Sequence, residues 1–156
     1  VIILGIDPGL SNTGYGLIRY EKKKIELIDY GCVLTYKKDT FSFRIKEIYY
    51  KIKELIEKYN PHEVVIEEIF FNKNVRSALT VSKVHGMVAI TVALMGLELY
   101  EYTPLQIKQA TVGNGRAEKH QVQSMVKILL NLSEIPQPDH AADALAAAIC
   151  HVHTKY

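Results

Sequence analysis

A chain of 156 residues has the length of one ordinary domain, which leaves no room for a two-lobed enzyme or a long repeat array. Its 48% hydrophobic content supplies a sizeable core and excludes global disorder. With 19 basic against 17 acidic side chains, a formal +2, the kind of partner is decided by where the charges sit rather than by their sum. Cys32 and Cys150 stand far apart without a C-x-x-C pattern, which fits a reduced, cytoplasmic protein better than a zinc knuckle or a redox pair. The opening VIILGI run lacks the basic region of a signal peptide. The longest uncharged stretch, 86–97, is shorter than the roughly 20 residues that span a bilayer, so neither export nor a membrane is expected.

The first run, VIILGID, is continuous and β-branched, the pattern of a strand buried on both faces, and PGLSNTG follows as a turn cluster. YGLIRY and IELIDYGCVLTY resume extended patterns on either side of EKKK. Residues 1–36 therefore read as a three-stranded antiparallel meander with hairpin loops near 8–13 and 21–24. From Phe41 the period changes: Ile45, Ile48, Tyr49, Ile52, Leu55 and Ile56 recur at spacings of three and four, an amphipathic helix that stops near Asn60-Pro61. EVVIEEIF is a fourth strand. From about Val75 to Leu94 a helix is apolar around most of its circumference, with Gly86, Ala89 and Ala93 among the larger residues, which makes it deep core or a subunit contact. GLELYEY is a fifth strand, TPLQIKQATVG a short helix with Pro104 in its first turn, and GNGR a loop. AEKHQVQSMVKILLNL and the Ala-rich DHAADALAAAICHVH complete the chain as two more helices. The expected architecture is a single α/β domain over 1–156: a mixed five-stranded sheet, three antiparallel strands first, with helices on both faces. That order resembles the ribonuclease H-like one, to which the actin-like ATPase lobe is close in topology.

Acidic residues stand where apolar ones are expected. Asp7 ends a strand that otherwise reads as interior, and an unpaired buried carboxylate costs several kcal/mol. A turn role, bonding the backbone of PGLSNTG, is the competing explanation. In VVIEEIF, alternation sends Glu67 and Glu68 to opposite faces, so one of them shares a side with apolar neighbours. On the last helix His140 and Asp143 are three apart and Asp139 and Asp143 four apart, so all three share a face near its N-terminal entrance. Capping explains Asp139 taken alone and neither of the others. Carboxylates gathered at strand ends and a helix start repel each other unless a hard cation neutralises them. Mg²⁺ suits such ligands, and two ions about 4 Å apart form the clamp used for in-line phosphodiester displacement. A phosphodiester-cleaving enzyme follows. His140 is a better ligand for Mn²⁺ than for Mg²⁺, and its alternative role is to orient the attacking water or take its proton.

GIDPGLSNTGYG, IEEIFFNKN, IKQATVGNGRAEKHQVQ and PDHAADALAAAI, in that order and over essentially the whole chain, resemble the RuvC family of Holliday junction resolvases. The resemblance implies a ribonuclease H-like fold, a homodimer, and two Mg²⁺ ions per active site with Mn²⁺ as a substitute. It implies paired symmetric nicking of four-way DNA junctions in homologous recombination and DNA repair, alongside the RuvA–RuvB branch-migration complex. Matched by motif, the family's acids fall on Asp7, Glu67 and Asp143, with His140 where Asp is the commoner residue and Asp139 as its competitor. Phe70, with Phe71 beside it, matches an aromatic that stacks on unpaired bases, and Lys108 and Lys119 match residues that meet DNA phosphates. Lys73, Arg76, Lys83 and Arg116 are further phosphate candidates by proximity to these motifs, and Gly113 and Gly115 would let backbone amides approach a phosphate. Two other readings compete. One is a ribonuclease H-like nuclease acting on another nucleic acid, such as pre-ribosomal RNA, from which HAAD and the KQ…AEK segment lean away. The other is an actin-like nucleotide-binding module with 9–16 as its phosphate loop, which needs a second lobe. With three acids withdrawn into a metal pocket, the near-neutral total becomes an acidic pocket set in a basic surface.

Overall fold

The computed structural model describes residues 1–69 and 74–156. Strand β1 (Ile2–Asp7) is apolar on both sides and takes the centre of the sheet, with Ile3, Leu4 and Ile6 fully buried. It pairs antiparallel with β2 (Asn12–Glu21), which pairs antiparallel with the edge strand β3 (Lys24–Leu34). The turn between those two strands places Lys22 and Lys23 at φ 51° and 64°, the left-handed geometry that matches the strands' own twist. On its other side β1 pairs parallel with β4 (Glu63–Glu67), and β4 pairs parallel with β5 (Leu99–Tyr102), giving the order β3-β2-β1-β4-β5. The fourth and fifth strands are shorter than the sequence pattern suggests: β4 stops at Glu67, the first of the paired glutamates, and β5 starts only at Leu99, after Gly96 at φ 72°.

One face of the sheet carries α1 (Phe41–Tyr59) and α2 (Val75–Leu94), whose Ile48, Ile52, Leu55, Val84, Val88 and Val92 pack on Leu4, Ile6, Leu17, Val64 and Ile66. Thr40 accepts from the Phe43 N–H at the start of α1, and Asn60 closes its end at φ 45°. By length and composition α2 could cross a membrane, since Arg76 and Lys83 leave its mean hydropathy at 1.4. Here one of its stripes lies on the sheet, while Val75, Leu79, Ile90 and Leu94 stay exposed on the other.

The opposite face carries α5 (Asp139–Lys155), flanked by α3 (Pro104–Val112) and α4 (Lys119–Leu129). The alanines of α5 and the glycines of β1 and β2 have one common cause. A Cβ built on Gly5 would lie 2.1 Å from the Ala144 carbonyl oxygen, and one on Gly14 would lie 2.0 Å from that of His140. Helix and sheet backbones thus touch, and the start of α5 is held against the end of β1. At its other end α5 is tied down by a buried polar cluster. His151 is fully buried, with Nε2 2.7 Å from Glu63 Oε2 and Nδ1 2.8 Å from the Tyr102 hydroxyl. Nε2–H donating to the carboxylate and Nδ1 accepting from the hydroxyl satisfies both nitrogens at once. The Lys155 ammonium and the Tyr156 hydroxyl also bond Glu63.

Candidate active site

Parallel pairing ends β1 and β4 on one edge of the sheet, so Asp7 and Glu67 emerge side by side where α5 begins. His140 Nδ1 lies 2.8 Å from Asp7 Oδ2, and one ligand-type atom from each of Asp7, His140 and Asp143 falls within 4.8 Å of the others. The side chains of Asp7 and Asp143 are 15% and 24% exposed, dry enough for like charges to act on one another. Burial first, then the charges of Asp7 and Asp143, push the Glu67 carboxyl up to about 7, against the opposing pull of Lys119 and Lys108. Burial also raises Asp143, although Lys119 donates to it. The hydrogen bond to Asp7, more than any other influence, holds the imidazole of His140 above its ordinary value. A pocket of about 250 Å³ lies alongside, with Glu67, Asp143, Lys108 and Lys119 on its polar side and Ile107 and Val122 on its apolar side.

Four of the residues singled out in the sequence, Asp7, Glu67, His140 and Asp143, thus converge, and Lys108 and Lys119 join them in the pocket wall. Lys119 Nζ lies 2.9 Å from Asp143 Oδ2 and 3.8 Å from Asp139 Oδ2, a contact between α4 and α5 that no local pattern announces. Asp139 itself is exposed, and it does not cap α5, whose N-cap is Pro138. Glu68 is exposed beyond the end of β4. Arg76 and Lys83 lie on α2 and Arg116 in the α3–α4 loop; none of them lines the pocket, and Lys83 Nζ sits 5.0 Å from the Phe41 ring centroid. The amides of Gly113 and Gly115 donate to Gln109, the first to its backbone oxygen and the second to its side chain, so neither is free for a phosphate. Phe70, Phe71 and Lys73 lie outside the described residues.

Carboxylates that raise one another's affinity for protons are short of cations. Among the described residues Lys119 is the one ammonium in contact with the cluster's acids. Asp7, Glu67 and Asp143 supply hard oxygen donors and His140 a nitrogen, a set that suits a divalent ion with water completing its shell.

The model of the family described as crossover junction endodeoxyribonuclease RuvC matches residues 3–151. A relative of that name from Alkaliphilus metalliredigens is 54% identical over 156 residues, covering all of this chain and 95% of the relative. Another, from Clostridioides difficile, is 50% identical over 155 residues, with 99% and 92% covered. Among solved structures, Thermus thermophilus RuvC superposes with a TM-score of 0.91 at 35% identity, covering 98% of this chain and 94% of that one. The same organism's RuvC in complex with a Holliday junction substrate gives 0.92 at 34% identity, with 98% and 93% covered. Fold and comparisons together define a ribonuclease H-like nuclease. The chain belongs to the RuvC family and is an enzyme, a crossover junction endodeoxyribonuclease.

Proposed function

We propose that Asp7, Glu67, His140 and Asp143 form the catalytic centre of a Mg²⁺-dependent enzyme that resolves four-way DNA junctions by paired symmetric nicks. The observation that carries this is their convergence at one sheet edge, where burial first and then the charges of Asp7 and Asp143 push the Glu67 carboxyl up to about 7. These four side chains would hold two Mg²⁺ ions, with Mn²⁺ as a substitute, and the ions would activate water and neutralise charge on the leaving 3′ oxygen. The protein's own groups do the rest. Asp7 accepts from Nδ1 of His140, which fixes the ring and leaves Nε2 as the one nitrogen that can either ligate an ion or, in its alternative role, take a proton from an attacking water. Lys119 and Lys108, from α4 and α3, hold the scissile phosphate against the carboxylates, which would otherwise repel it. Phe70, three residues after the end of β4 in sequence, is assigned the role of stacking on an unpaired base.

A four-way junction has approximate two-fold symmetry, so the working unit is a homodimer of this one domain, 1–156, joined through the exposed stripe of α2. It acts in the cytoplasm with the RuvA–RuvB branch-migration complex, in recombination and repair. The test is a panel of labelled substrates in Mg²⁺: a synthetic four-way junction, a linear duplex and an RNA–DNA hybrid. Ligatable paired nicks on the junction alone are expected. Preferential cutting of the hybrid would overturn the reading.

A further inference from the structure

Arg44 breaks the rule by which this protein buries charge. It stands in the first turn of α1 and is 8% exposed, with Nε 2.8 Å from Thr35 Oγ1 and Nη2 2.7 Å from Ser11 Oγ. Both partners are neutral hydroxyls. Among the described residues no carboxylate pairs with the guanidinium, and Nη1 makes no hydrogen bond. Glu63, by contrast, is met by Lys155, His151 and Tyr156. A guanidinium cannot shed its proton to escape burial, and Nη1, unbonded but not sealed from solvent, is open to an anion from outside the chain that would balance the charge.

Its position says which anion. The Thr35 hydroxyl donates to the Leu10 carbonyl at 2.5 Å, and the Thr35 N–H donates to that of Ser11 at 3.1 Å, so Arg44 is braced against the loop that leaves Asp7. Asn12 pairs with Leu34 where β2 begins and β3 ends, which puts the loop, Thr35 and the start of α1 on the same sheet edge as the catalytic carboxylates. Lys37, Lys38 and Lys46 of the neighbouring sequence are exposed, against Asp39 and Glu47 as the acids of the same segment. Two of these lysines lie over exposed rings, Lys46 Nζ 4.4 Å from the Phe43 centroid and Lys38 Nζ 5.9 Å from that of Tyr36.

We propose that Arg44 and Ser11, with Lys37 and Lys38, bind a backbone phosphate of the DNA substrate, on the other side of the catalytic carboxylates from Lys108 and Lys119. The proposal rests on the junction-nuclease reading. The phosphate supplies the missing counter-charge, and the Ser11 hydroxyl, accepting from Arg44, still has its own proton to donate. A prebraced, backbone-directed contact sets the position of the duplex relative to Asp7 without reading sequence.

The experiment measures binding of a labelled four-way junction in EDTA across a KCl series, with thermal unfolding of each variant. Arg44→Gln is expected to weaken binding about tenfold near 0.1 M salt and to lower the slope of log K against log salt by about one, while Arg44→Lys restores most of that slope. Ser11→Asp hands Arg44 an internal carboxylate, so it should fold with an equal or higher Tm and bind the junction more weakly. A folded Arg44→Gln with the wild-type slope and affinity would reduce Arg44 to a loop staple. If that variant fails to fold, Ser11→Asp decides, and wild-type affinity in it overturns the proposal. A wild-type chain that does not bind the junction at all would contradict the proposed function itself.

Discussion

His140 and Asp139 are neighbours with equal claims by helical spacing, and packing separates them. The close contact of α5 with Gly14 turns His140 onto Asp7, whereas Asp139 stays exposed with Lys119 as its nearest charge. His140→Ala is therefore expected to slow single-turnover junction cleavage by about 10² or more, and Asp139→Ala by no more than about threefold. Equal, small losses would remove His140 from the site. Asp7 and Asp143 were legible because each interrupts an apolar pattern. Glu67 was separable from Glu68 by family motif but not by alternation, because either face of a central strand reads as buried. Arg44 was not legible at all. In α1 it reads as one more solvated arginine, and only closure of the 8–11 and 35–40 loops buries it.

Helix α2 was readable as core or as subunit contact, and its packing separates a buried stripe from an exposed one, to which the proposed dimer contact is assigned. Val84, Val88 and Val92 are fully buried on the sheet, while Leu79, Ile90 and Leu94 face outward. A charge at Val88 would therefore break the fold rather than test an interface. Ile90→Glu should instead leave the far-UV spectrum unchanged and shift the chain to monomer in analytical ultracentrifugation. A dimer of undiminished stability would exclude this stripe as the contact. Helix ends were predicted well where the chemistry is local, as with the stop of α1 at Asn60-Pro61 and Pro104 at the start of α3. The short strands β4 and β5 were overrun, since apolar runs beyond a strand's last ladder bond look the same as those within it.

The whole molecule is closed by the cluster that joins the end of α5 to the start of β4, and that closure is sensitive to acid. Burial is the larger influence on His151 and holds it below its ordinary 6.5. Burial would raise Glu63, but the bonds from Lys155, His151 and Tyr156 outweigh it and hold the carboxyl below 4.5. For both groups the unfolded chain binds more protons, so stability rises with pH and is lost as pH falls, first below about 6.5 and again below about 4.5. Glu63→Gln is expected to lower stability at pH 7 by about 1–3 kcal/mol, with the gap narrowing toward pH 4 in thermal unfolding. Parallel pH profiles would show that Glu63 does not contribute to the acid response. The strand composition of the mixed sheet and the layers on its two faces follow from hydrophobic patterning alone. The contacts that make a site of it, Lys119 on Asp143 and His140 on Asp7, join residues far apart in sequence and needed the fold. The assignment of junction cleavage to this sheet edge is decided by Asp7→Asn, with cleavage and gel-shift binding of one labelled four-way junction measured in the same Mg²⁺ samples. No detectable nicks are expected, with affinity within about threefold of wild type. Persistent cleavage at a tenth of the wild-type rate or more would contradict that assignment.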